Sequence, residues 1–246
     1  MNHTPDQTAW HLGRLCGFDT ETTGVDVESD RIVTACIVEV GGSMPPAPAN
    51  WLLNPNVDIP EQATAVHGIS TEMAKKEGQD AAEGIAQIVA ALAQVVLAGT
   101  PLVVMNAPFD LTLLDREARR YGVQPLTDIV GNDLHVLDPR VLDKRVDPYR
   151  RGKRTLTDLC AHYQVKLDGA HAADADAIAA CRVTWRIATR FGEIGNAFLD
   201  ELHDQQGDWA AAQAASFQEY LRKKDPDAVI DGSWPLVPAQ RDGGAS

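Results

Sequence analysis

The sequence predicts an α/β protein: a mixed, five-stranded sheet flanked by helices, followed by a helical C-terminal tail. Three observations lead there. Apolar and β-branched runs come first, at residues 15–18, 31–40 and 51–53, joined by short links. Helical spacing then takes over with Ile85, Ile88, Val89, Leu92, Val95 and Val96. Beyond it, short apolar runs alternate with helical patterns, which is an α/β order.

Taken in order, residues 15–18 read as a buried strand ending at Asp19, and 31–40 as a second. Gly41-Gly42 with Pro45, Pro46 and Pro48 predicts a turn into a third strand at 51–53, stopped by Asn54-Pro55. These three strands suggest an antiparallel meander. A helix follows at 82–98, then a short strand at 101–105. Pro108 suits the first turn of a helix reaching about Tyr121 and stopped by Gly122. A fifth strand is expected at 134–137, and helices at 155–163 and 173–190. An Ala- and Gln-rich helical segment runs on through Lys224. The expected organisation is a frayed leader at 1–12, one domain at 13–192 and a helical C-terminal extension at 193–246.

With 246 residues, 44% hydrophobic and 23% charged, the chain can bury an ordinary core. No apolar run approaches the roughly 20 residues of a membrane helix, and the first ten residues lack a secretory stretch. No membrane and a cytoplasmic location are therefore expected. Cys16, Cys36, Cys160 and Cys181 form no C-x-x-C pair and are expected to be buried free thiols. A net charge of −13 argues against a nonspecific nucleic-acid coat protein. It does not exclude a nuclease, because carboxylates loaded with divalent ions are locally positive. One segment opposes the trend: Arg140, Lys144, Arg145, Arg150, Arg151, Lys153 and Arg154 face only Asp143 and Asp147. It is either a solvated loop or a rim that tracks phosphates. No Walker or G-x-G-x-x-G motif supports a nucleotide switch.

The chemistry gathers on scattered carboxylates. Asp19 and Glu21 lie two apart at a strand end, so both face one side while Phe18 and Thr20 face the other. Asp110 falls in the first turn of a helix after an apolar strand, where a helix-start charge is equally natural. Asn106 could simply cap that helix, and Phe109 could be core or stack on a base. His171 precedes a helix carrying both Asp174 and Asp176. Carboxylates are hard ligands suited to Mg²⁺ or Mn²⁺, and a nearby histidine can take a proton from water.

In order, Phe18-Asp19-Thr20-Glu21-Thr22-Thr23-Gly24, Asn106-Ala107-Pro108-Phe109-Asp110 and His171-x-Ala173-x-x-Asp176-Ala177 resemble the three motifs of the DEDD-type 3′–5′ exonucleases with a catalytic histidine. Val66-His67-Gly68-Ile69-Ser70 resembles a further segment of that family, whose best-matching branch is the epsilon type of bacterial DNA polymerase III. The resemblance covers about residues 14–190 and implies a ribonuclease-H-like fold. It selects Asp176 over Asp174. It implies that Asp19, Glu21, Asp110 and Asp176 hold two Mg²⁺ or Mn²⁺ ions and that His171 deprotonates the attacking water. Thr22, His67, Asn106 and Phe109 would hold the terminal nucleotide of a single-stranded DNA 3′ end, with RNA as the alternative. Met105 stands where many relatives carry histidine, which bears on substrate fit. Trp209, Phe217, Tyr220 and Trp234 are candidate anchors for a polymerase subunit docking on the C-terminal extension, or they pack back on the domain.

Overall fold

The computed structural model describes residues 9–167 and 172–239. Its sheet is built from β1 (Arg14–Thr22), β2 (Ile32–Gly41), β3 (Met44–Asn54), β4 (Gln79–Asp80), β5 (Leu102–Val103) and β6 (Val136–Leu137). The order is β4-β3-β2-β1-β5-β6. β1, β2 and β3 form the antiparallel meander, whereas β5 and β6 run parallel to β1. All five expected strands are present. β4, two residues long and too short for any periodicity, makes six by pairing with Leu53 and Asn54.

β3 departs most from expectation. It begins at Met44 and takes Pro45, Pro46 and Pro48 into the strand, so Gly42-Ser43 alone makes the turn. This stretch pairs only with β2, and prolines are tolerated on an edge where no N–H is required.

Helices cover both faces. On one side lie α3 (Ala81–Leu97) and α4 (Ala107–Arg120), whose Ile85, Ile88, Leu92, Leu111 and Leu114 pack with Phe18 of β1. On the other lies α8 (Ala173–Arg190), with α7 (Leu156–Tyr163) beside it. Gly17 permits the α8 contact: a Cβ there would stand 2.6 Å from the Ala177 carbonyl oxygen. That close approach sets Asp176 of α8 against Asp19 of β1.

Short helices complete the frame: α1 (Glu61–His67), α2 (Thr71–Glu77), α5 (Leu126–Val130), α6 (Pro139–Val146) and α9 (Gly192–Gly195). The basic segment is therefore not a loop throughout, since its first half is α6, capped by Asp138, which accepts from the Arg140 N–H. Residues 10–12 are not frayed either. They form a short 3₁₀ turn whose Trp10 is buried and donates from Nε1 to the Ile194 carbonyl at 3.3 Å.

The tail packs back on the domain. α10 (Leu199–Arg222) inserts Leu202 and a fully buried Gln206. Gln206 accepts from the Asp138 N–H at 2.8 Å and donates to the Val136 carbonyl at 2.9 Å, stitching α10 to the end of β6. Trp209 packs on one core cluster and Trp234 on the other, while Phe217 and Tyr220 are exposed and stacked on each other. The four cysteines are buried and free, their thiols raised by burial to about 11 for Cys160, about 12 for Cys16 and Cys36, and well above the usual value for Cys181. Among the described residues, no helix is long and apolar enough to cross a membrane.

Candidate active site

The site lies at the C-terminal end of β1. Asp19 and Glu21 point to the α8 side, where Asp176 sits in the first turns of that helix. One carboxylate oxygen from each of Asp19, Glu21 and Asp176 lies within 4.8 Å of the others, and all three side chains are half-buried. Asp174 stands outside this group, with Oδ1 accepting from the Ala175 N–H.

Asp110 arrives from the opposite face. It is buried in the first turn of α4, and its Oδ1 accepts from both the N–H and the Oγ1 of Thr20, at 3.1 and 2.6 Å. Thr20 does face away from Asp19 and Glu21, as the alternation requires, and in doing so it fixes Asp110. That role was not legible in the sequence; the only signal is a hydroxyl residue between the two acids.

Burial sets the electrostatics, and like charges add to it. Burial, then Asp110, Asp176 and Glu21, push the Asp19 carboxyl well above its ordinary value. Burial, then Asp176 and Asp110, raise Glu21 to about 7. For Asp110, burial outweighs the Thr20 hydrogen bonds and also carries it to about 7. Converging oxygen donors whose ionised forms repel one another fit a hard divalent cation, whose charge would remove the repulsion.

Around this centre, Thr22 donates from Oγ1 to the Gly24 carbonyl at 2.6 Å and closes the turn after β1. His67 ends α1 before Gly68, whose positive φ stops the helix. Its Nδ1 accepts from the Ile69 N–H at 3.1 Å. Burial lowers its pKa, offset in part by the nearby Thr22 backbone, so His67 and Thr22 are neighbours. Asn106 adopts a left-handed conformation (φ 63°) at the start of α4 and makes no side-chain cap. Its Oδ1 instead accepts from Arg140 of α6 at 2.6 Å, while the Asn106 and Ala107 N–H groups donate to buried Asp138. Phe109 is half-buried against the core. Asp138 and Arg140 had no sequence signal as supports of the site, because the contact joins positions 31–34 residues apart. His171 lies outside the described residues.

A meander with two parallel strands, helices on both faces and convergent carboxylates at the end of its central strand defines a ribonuclease-H-like nuclease. Relatives agree. The RNase_T family model, described as Exonuclease, matches residues 16–184. An uncharacterized exonuclease of Escherichia phage 186, CP81, is 31% identical over 73% of this chain and 89% of its own length. The DNA polymerase III subunit epsilon of Rickettsia conorii is 29% identical over 62% of this chain, and the match spans 63% of that subunit. Among solved structures, Exonuclease I from Methylocaldum szegediense superposes with a TM-score of 0.62 at 22% identity, over 75% of this chain and 42% of that one. Escherichia coli Exonuclease I, solved in complex with a dT13 oligonucleotide, gives 0.60 at 18% identity, over 75% and 43%.

The chain belongs to the Exonuclease family, and it is a 3′–5′ exonuclease of the DEDD type, epsilon-like in sequence. That family is divalent-metal dependent, in keeping with the acidic cluster.

Proposed function

We propose that the protein removes nucleotides one at a time from the 3′ end of single-stranded or frayed DNA, releasing nucleoside 5′-monophosphates. The convergence of Asp19, Glu21 and Asp176 within 4.8 Å carries this proposal. With Asp110 they would hold two Mg²⁺ or Mn²⁺ ions, which supply Lewis-acid polarisation of the phosphoryl oxygen and charge stabilisation at the attacking and leaving oxygens.

The chain's own residues do the rest. Thr20 orients Asp110 through two hydrogen bonds. Raised carboxyl pKa values keep the site partly protonated until a cation binds. His171, just before α8, takes the proton from the attacking water. Thr22 and His67 bound the terminal nucleotide on one side, and Asn106, held by Arg140, and Phe109 on the other. DNA is favoured over RNA because the curated relatives are named as DNA polymerase subunits. The same names support a contact with a polymerase subunit through the C-terminal region, where the exposed Phe217–Tyr220 pair offers an apolar surface.

The test is a time course on 5′-labelled single-stranded DNA and RNA of one sequence, with Mg²⁺, Mn²⁺ or EDTA. A metal-dependent ladder from the 3′ end, faster on DNA and lost in Asp19→Ala, is expected. His171→Ala should slow it by about 10²–10⁴-fold, the usual weight of a general base. No degradation by folded protein would overturn the proposal.

A further inference from the structure

Seven bases crowd residues 140–154 of a chain whose net charge is −13, and the structure divides them by what they touch. Arg150 and Arg154 both bind buried Asp143, Arg150 at 2.7 Å. Arg145 lies over the Trp209 ring and against Glu193. Lys153 stands near Asp158, whose carboxyl it helps to lower. The three arginines are held by these contacts, and Lys153 is exposed beside Asp158.

Three bases are left for other work. Arg140 holds Asn106 at the mouth of the site. Lys144 is one turn further along α6, on the same face and about 6 Å along the axis. Burial, then Arg154 and Arg140, depress its pKa, so the Lys144 ammonium sits in a field of its own sign. Arg151 is exposed in the loop that follows, two residues from Tyr149, whose side chain is 93% exposed. An exposed aromatic ring two residues from an exposed arginine is the composition of a single-strand platform, where a ring stacks on a base and cations follow the phosphates.

We propose that this face, from Arg140 through Lys144 to Tyr149 and Arg151, is a track for the single-stranded polynucleotide upstream of the 3′ terminus. Lys144 and Arg151 take phosphates and Tyr149 stacks on a base. This rests on the exonuclease function proposed above and extends it from the terminal nucleotide to the strand behind it.

The experiment keeps the two separable. Binding of labelled dT and U decamers is measured in EDTA by anisotropy, across about 50 to 300 mM salt. In parallel, with Mg²⁺, kcat/KM is compared for the oligonucleotides and for the p-nitrophenyl ester of thymidine 5′-monophosphate, which is too small to reach the track. Lys144→Ala/Arg151→Ala should lower the slope of log affinity against log salt by about 1.4. Tyr149→Ala should weaken binding at least about fivefold. Arg151→Glu should weaken it further than Arg151→Ala. In each variant kcat/KM should fall far more for oligonucleotides than for the ester. Wild-type affinity, slope and oligonucleotide-to-ester ratio in all of them would overturn the track. Should the wild type cleave neither ester nor oligonucleotide, the exonuclease function fails, while the binding slopes still decide the track for or against.

Discussion

Asp143 and the carboxylates at the end of β1 are both shielded from bulk water, and they are treated in opposite ways. Asp143 of α6 is fully buried and receives Arg150, Arg154 and the Tyr163 hydroxyl, the last at 2.8 Å. Asp19, Glu21 and Asp176 face one another, and the charges raising Asp19 and Glu21 are all carboxylates. A buried charge requires a partner. At Asp143 the chain supplies it, so the group belongs to the fold. At the end of β1 the charges that shift Asp19 and Glu21 are carboxylates, an arrangement that a divalent cation would relieve, in line with the metal site proposed above.

The largest expected effect breaks the second group. Asp19→Asn and Asp176→Asn should each take metal-dependent nuclease activity to background. Asp19→Asn should leave the metal-free protein at least as stable as wild type at pH 8, because it removes a carboxylate disfavoured by burial and by its acidic neighbours. Activity assays with thermal unfolding in EDTA test both halves. Near-normal turnover would remove the metal assignment; a large loss of stability would make the cluster structural.

Asp143→Asn should do the reverse. Removing one partner of a buried ion pair costs about 3–5 kcal/mol. At about 2–4 °C per kcal/mol for a chain of this size, the Tm should fall by about 6–20 °C. Nuclease activity at low temperature should survive in the folded fraction. A variant with wild-type Tm would show that the Arg150 and Arg154 contacts contribute nothing net. It would also return both arginines to the set available to nucleic acid.

A pH series on metal-free protein sharpens the contrast. Glu21 and Asp110, raised to about 7 in the fold, bind protons there that the unfolded chain releases near pH 4. Their contribution is fully present below pH 4 and is lost as pH rises through about 7, since stability falls wherever the folded state holds more protons. Mg²⁺ or Mn²⁺ should therefore raise the Tm more at pH 8 than at pH 5.5, where protons compete for the same oxygens. An equal shift at both values would place the ion elsewhere.

Much of this was legible in the sequence. The strand-end placement of Asp19 and Glu21, the Ala173–Arg190 helix and the apolar period of α3 all follow from spacing. α1 and α2 were missed because seven residues each, with Ala74 their only fully buried side chain among the two, carry no period. α6 was hidden by its charges, and the first half of β3 by its prolines. Residues that join distant segments gave no local sign at all: Thr20 under Asp110, Arg140 on Asn106, Gln206 on Asp138. Each is polar, ordinary in its own stretch, and defined only by what the fold brings to it.

The smallest expected effect lies on the structural side of the comparison, at α10. His203 accepts the Val136 N–H through Nδ1 at 3.0 Å, so the neutral ring is the one that fits. Burial, then nearby His135, lower its pKa, with Asp204 and Asp200 opposing. Between the folded and the ordinary value near 6.5, the unfolded chain binds a proton that the folded one does not. Stability is therefore present above about pH 6.5 and lost as pH falls from there through the lower folded value. The loss is read between about pH 7 and 5 as the difference between wild type and His203→Asn, whose amide oxygen can take the same N–H without titrating. Parallel pH profiles for the two proteins would mean that the His203 pKa is the same in the folded and unfolded chain and that its contact with the Val136 N–H adds no pH-dependent stability.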